Sequence, residues 1–211
     1  MRMLMQIRQK RWRKLFMLCG LFLVTACHSA TSSIEKTDAC LGYPDAQKSL
    51  YVLPYETGAT YQVFQGNCAP PNAPWTHYAK DRHAYDFAMP IGAKIVAARA
   101  GTVAFIREQF TDQQHAQEEG NALVILHDDN TVALYGHLTH NGALVELGQR
   151  VEQGELIALS GDSGETGNVP HLHFQVYACP DFDVCESMPM TFRNAFPNPG
   201  RLMQGEKYTA E

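Results

Sequence analysis

Nine histidines stand in this chain, at positions 28, 77, 83, 115, 127, 137, 140, 171 and 173. A single histidine is more often a surface or core residue than a ligand. Two features set some of these apart. His171 and His173 lie two residues apart in a run that alternates apolar and polar side chains, His-Leu-His-Phe-Gln-Val-Tyr. On a β-strand that spacing sends both imidazoles to one face, where they can serve one site as ligand and neighbour. The second feature precedes them. Ser160 to Pro170 is a loop of small residues with three glycines. Such a loop lets backbone approach a substrate.

Upstream, Asp86 sits in Ala84-Tyr85-Asp86-Phe87, also readable as a strand, with His77 and His83 before it. His83 and Asp86 are an odd number of residues apart, so on a strand they face opposite sides. That counts against His83 as a partner of Asp86 on one face.

The elements that must hold these residues are short. Tyr51–Leu53, Tyr61–Phe64, Ala84–Phe87, Lys94–Ala98 and Thr102–Arg107 read as strands, punctuated by Gly92 and Gly101. Asn121–His127 and Thr131–His137 form a hairpin across Asp128-Asp129-Asn130. Val145–Leu159 alternates strands with turns at Gly148 and Gly154, and His171–Tyr177 is a strand. Met188–Phe192 reads as the last one. Gln109–Gly120 is a polar excursion. No long helical period is present, so the expected class is all-β: one antiparallel sheet or sandwich domain.

Several ordered motifs between residues 50 and 193 resemble the lysostaphin/LytM-type zinc metallopeptidases. Pro170-His171-Leu172-His173-Phe174-Gln175-Val176 is similar to the family signature. Tyr135-Gly136-His137-Leu138 and Tyr85-Asp86-Phe87-Ala88-Met89-Pro90-Ile91-Gly92 are similar to two further motifs. The resemblance implies the LytM fold (a duplicated hybrid motif) with a groove holding one Zn2+ per chain. It implies His77, Asp86 and His173 as metal ligands. The more frequent His-x-x-x-Asp pattern would put the first ligand at position 82, which is Arg82 here; Thr76-His77 through Asp86-Phe87 instead resembles a subset of relatives with the histidine nine residues before the aspartate, which implies His77, with His83 the rival. His137 and His171 take the places of the family's two catalytic histidines, with base and oxyanion roles unassigned between them. The implied activity is a zinc endopeptidase acting on peptidoglycan cross-links or stem peptides. The alternative is a non-catalytic relative that activates a cell-wall amidase.

Two other chemistries fit poorly. Gly161-Asp162-Ser163-Gly164 resembles the nucleophile motif of trypsin-like proteases, but Glu165 follows it. The paired turns near Val145–Ser160 resemble lipoyl-type modules, yet no lysine lies between Lys94 and Lys207 to carry a cofactor.

The first 26 residues read as a signal peptide: a basic start, then the apolar run Leu15–Val24, too short to span a bilayer. Val24-Thr25-Ala26-Cys27 resembles a bacterial lipobox, which implies lipidation of Cys27 and, because His28 follows, the periplasmic face of a Gram-negative outer membrane. Residues 27–49 are then a tether, 50–195 the domain and 196–211 a C-terminal tail. The signal carries six of the 17 basic residues and none of the 22 acidic ones. The mature chain keeps eleven basic residues, and so acidic a chain does not suit nucleic acid. The four remaining cysteines of an exported chain suggest disulfides, paired by proximity as Cys40–Cys68 and Cys179–Cys185.

Overall fold

The computed structural model describes residues 42–67, 76–77, 79–182 and 184–211. Cys27, Cys40 and Cys68, the signal and most of the tether lie outside the described residues. Twelve strands are described: β1 Thr60–Gln65, β2 Tyr85–Ala88, β3 Lys94–Val96, β4 Gly101–Arg107, β5 Ala122–Leu126 and β6 Val132–Gly136. Then follow β7 Leu138–Ala143, β8 Arg150–Val151, β9 Leu156–Ser160, β10 Leu172–Tyr177, β11 Ala195–Phe196 and β12 Lys207–Ala210. Helix is confined to single 3-10 turns.

All pairings are antiparallel, and the all-β expectation holds. One nine-stranded sheet runs β11-β12-β1-β2-β10-β6-β5-β4-β8, and a three-stranded sheet runs β3-β9-β7. Residues of both share one core, in which Phe87, Leu123, Tyr135, Leu138, Ile157, Leu172 and Phe174 are fully buried. β10 shows the sharpest division of faces. Leu172, Phe174 and Val176 enter the core, and the alternate positions His171, His173, Gln175 and Tyr177 share the opposite face.

Four expectations need correction. Residues 196–211 are no tail: β12 pairs with β1 on one side and β11 on the other, and Leu202, Tyr208 and Ala210 are buried. The segment alternates at Lys207-Tyr208-Thr209-Ala210, too short a run to stand out without its partner. Met188–Phe192 packs Met190 and Phe192 into the core but joins no ladder. Tyr51–Leu53 likewise is not a strand: the Val52 N–H donates to the Ala98 carbonyl and the Leu53 N–H to Asn194 Oδ1. The structured part also begins before residue 50, since Ala46 and Ser49 are already buried. Conversely β7 escapes the alternation pattern, because Thr139-His140-Asn141-Gly142 is polar and edges the small sheet.

Candidate metal centre

β2 and β10 are neighbours, and their register sets Asp86 directly opposite His173. The two side chains therefore meet on one face, with His173 Nδ1 2.8 Å from Asp86 Oδ1. His77 arrives from the connection before β2. Its backbone N–H and its Nδ1 both reach the Gly66 carbonyl, at 3.3 and 3.2 Å. A carbonyl only accepts, so Nδ1 carries the proton and Nε2 presents a lone pair. That Nε2 lies 3.1 Å from Asp86 Oδ2.

Donor atoms of His77, Asp86 and His173 all lie within 4.8 Å of one another. Zinc bonds of about 2.0–2.2 Å place tetrahedral ligands roughly 3.3–3.6 Å apart. The spacing and the donor types thus fit a zinc ion with slight expansion. The side chains of His77 and Asp86 are only 8% and 5% exposed, so the cluster sits out of bulk water. His83 faces elsewhere. Its backbone N–H donates to Ser187 Oγ and its Nδ1 to the Ser187 carbonyl, 2.8 Å away.

His137 and His171 flank the cluster. Their ring centroids are 4.5 Å apart, and His137 lies 5.8 Å from His173. His171 Nδ1 is 2.7 Å from the Val169 carbonyl, and His137 Nδ1 is 2.8 Å from the Ser163 carbonyl. Both rings thus repeat the device seen at His77: proton on Nδ1, lone pair on Nε2. His171 Nε2 stands 3.7 Å from Asp86 Oδ2, at the edge of the same centre.

The electrostatics divide the site in two. Burial raises the Asp86 carboxyl, but His173 and His77 beside it outweigh that and hold it well below the usual carboxylate range. Burial lowers His173, yet the adjacent Asp86 carries it above the ordinary imidazole value. Burial also lowers His171. His137 is pushed down to about 3, by burial first and then by His171 and His173. Near neutral pH the two flanking rings are uncharged.

The remaining histidines do other things. His127 is buried, its Nδ1 on the Ala100 carbonyl and its ring against Tyr51. His140 is exposed on β7, and His115 is half-buried with Nδ1 3.4 Å from Thr166 Oγ1 rather than fully in solvent. Ser163 is fully buried, donating to the Leu138 carbonyl and accepting from the Asn121 N–H, so its hydroxyl cannot act as a nucleophile. Cys179 and Cys185 are joined, with Cα atoms 6.1 Å apart.

Sequence reading passes over Phe64, whose ring edges His171 with centroids 5.0 Å apart. It also passes over the carbonyls of Gly66, Ser163 and Val169. A carbonyl carries no residue-type signal. Asn121 had one: a polar side chain at the head of the apolar run Ala122–Leu126, and it is fully buried.

Comparison with known proteins finds peptidases. Residues 80–183 match the model of peptidase family M23, a stretch that begins three residues after His77. The chain is 34% identical over 103 residues to the peptidoglycan DD-endopeptidase ShyA of Vibrio cholerae, covering 49% of this chain and 22% of that one. It is 41% identical over 92 residues to ShyB of the same organism, covering 43% and 19%. The match thus spans about a fifth of the length of these curated relatives. Among solved structures, a zinc-containing peptidase from Vibrio cholerae is 29% identical, with a TM-score of 0.41 over 62% of this chain and 37% of that one. Over residues 80–183 the chain is thus similar to peptidase family M23.

Proposed function

We propose that this protein is a zinc-dependent endopeptidase that hydrolyses peptide bonds of peptidoglycan from a lipid anchor at Cys27, on the periplasmic face of an outer membrane. One observation carries the catalytic part. His77, Asp86 and His173 converge, and His137 and His171 flank them with Nδ1 tied to carbonyls. A chain that only activated an amidase would have no need of that ligand set or of two preset imidazoles. The similarity to DD-endopeptidases supports the choice of peptidoglycan.

His77, Asp86 and His173 would hold the ion, which supplies a Lewis acid for the scissile carbonyl and brings the pKa of a water down to about 7. The chain's own residues handle the protons. With Nδ1–H committed to a backbone carbonyl, the free Nε2 of His137 or His171 only accepts while neutral. One ring takes the proton of the attacking water as its oxygen bonds to the carbonyl carbon. The protonated ring then donates through Nε2–H as the C–N bond breaks, and the proton leaves on the amine. The second ring borders the same carbonyl, and the depressed pKa values keep both in the accepting form beforehand.

Purified residues 28–211 are expected to bind one zinc and to release products from purified sacculi, whereas the His173→Ala protein does neither. A zinc-free wild-type chain, or sacculi left intact by it, rejects the reading. Anchorage is read separately, as a membrane-fraction shift and loss of labelled acyl chain in Cys27→Ser.

A further inference from the structure

His137 follows β6 with φ +60°, a left-handed backbone that a residue with a Cβ adopts only at a steric cost. Such a conformation persists only where its surroundings fix it. The fixing is done at the next residue. The Leu138 N–H donates to the Asn121 carbonyl at 3.3 Å, and the Leu138 carbonyl accepts from Asn121 Nδ2 at 3.1 Å and from Ser163 Oγ at 2.7 Å. Asn121 Nδ2 also reaches the carbonyls of Thr139 and Phe110, and its Oδ1 accepts the Phe110 N–H. The Asn121 N–H then donates to Ser163 Oγ at 3.0 Å. The circuit closes on the imidazole, since the Ser163 carbonyl is the partner of His137 Nδ1.

Asn121 and Ser163 are fully buried, and the side-chain bonds that join Asn121, Ser163 and Leu138 are shielded from water. Gly164 lets the two segments come this close. It has φ +81°, and a Cβ there would stand 2.6 Å from the Gly120 Cα. His171 is held differently: its Nδ1 partner is Val169, two residues away on its own loop, and its backbone N–H donates to the Gly161 carbonyl.

We propose that Asn121, acting through Leu138 and Ser163, is the positioning residue that holds His137 in its left-handed backbone and fixes its Nδ1–H tautomer. Asn121 touches neither the metal ligands nor the reacting atoms. The proposal deepens the hydrolytic reading and rests on it for the consequence in rate, but not for the tautomer.

The test uses 15N-labelled, zinc-loaded residues 28–211. Long-range imidazole NMR of the wild type should show His137 as a single Nδ1–H tautomer. An Nε2–H or mixed pattern overturns the proposal whatever the variants do. In Asn121→Ala and the milder Ser163→Ala, with one zinc retained, His137 should move toward a mixed pattern. kcat on a soluble cross-linked muropeptide dimer should fall about 10–100-fold, with KM little changed. Thr191→Val deletes an equally buried hydroxyl that has no hydrogen-bond partner, and should leave both readouts unmoved. If Asn121→Ala does not fold, Ser163→Ala decides alone. Folded, zinc-loaded variants with wild-type His137 signals and kcat overturn the proposal. A wild type that leaves the dimer uncut rejects the hydrolytic reading, while the NMR readout still decides the tautomer.

Discussion

Asp86 and His173 stand on neighbouring strands in register, whereas His77 and His137 reach the same centre from connections. The two halves are held by different means. On the strands, the ladder of β2 and β10 fixes the side chains, and the pair needs no other support. Off the strands, each ring is tethered through Nδ1 to a carbonyl: Gly66 for His77 and Ser163 for His137. A ladder tolerates changes of side chain, since the bonds are backbone. A tether depends on the loop that supplies the carbonyl. The strand half, with His77 as its third ligand, should therefore govern whether metal binds, and the tethered His137 and His171 that flank the ligands should govern how fast the bound site works.

The largest expected effect tests the strand half. Asp86→Ala and His173→Ala should each abolish stoichiometric zinc by elemental analysis and reduce hydrolysis to background. Breaking this buried cluster leaves uncompensated partners, so some loss of stability accompanies it. Full zinc occupancy in Asp86→Ala would erase the distinction between the halves.

The next effect tests the flanking rings. His137→Ala and His171→Ala should keep one zinc but lose about 10^2–10^4-fold in kcat, the range for a positioned proton-transfer group. Loss of metal in either variant would place that ring in the ligand half instead.

How much of this was legible follows the same division. His171 and His173 announce themselves because strand periodicity assigns faces, and Asp86 because its motif resembles one of the family's. The preference for His77 came from its resemblance to relatives with the histidine nine residues before the aspartate, and the odd spacing from Asp86 counted against His83. In the structure His83 is engaged by Ser187. The left-handed turn at His137 and its circuit through Asn121 were not legible, because hydrogen bonds to carbonyls leave no mark in residue types. The strand Lys207–Ala210 was missed for a different reason. Its partner β1 lies about 150 residues away, as in Thr60 against Thr209, and four residues of alternation are weak evidence alone.

That missed strand gives a third test. If the sheet beneath β1 and β2 depends on β12, Tyr208→Ala should cost about 3–5 kcal/mol in denaturant unfolding, as for other buried aromatic truncations. The Tyr55 hydroxyl bonds the Tyr208 carbonyl, which ties this edge to the core. A change under about 1 kcal/mol would return residues 196–211 to the status of a tail. On the loop side, Cys179→Ser with Cys185→Ser opens a short loop. Chain entropy predicts a loss of about 2 kcal/mol, with zinc content unchanged.

The smallest expected effect uses a histidine outside the centre. His127 is buried at the end of β5, and burial lowers its pKa below the ordinary value of 6.5. Above pH 6.5 it is neutral in both folded and unfolded chains and contributes no pH dependence. Below that value the unfolded chain takes up a proton that the folded one refuses. Stability therefore falls as pH drops through 6.5, by at most about 1.4 kcal/mol per pH unit for this one group. His127→Gln keeps an N–H for the Ala100 carbonyl and removes the titration. Its unfolding free energy between pH 6.5 and 5 should fall less steeply than that of the wild type. His137 and His171 slope the same way in the metal-free chain, so the comparison belongs on zinc-loaded protein, with the same ligand set in both. Parallel curves would mean that His127 opens to solvent, and that the edge of the sheet is no better shielded than the loops.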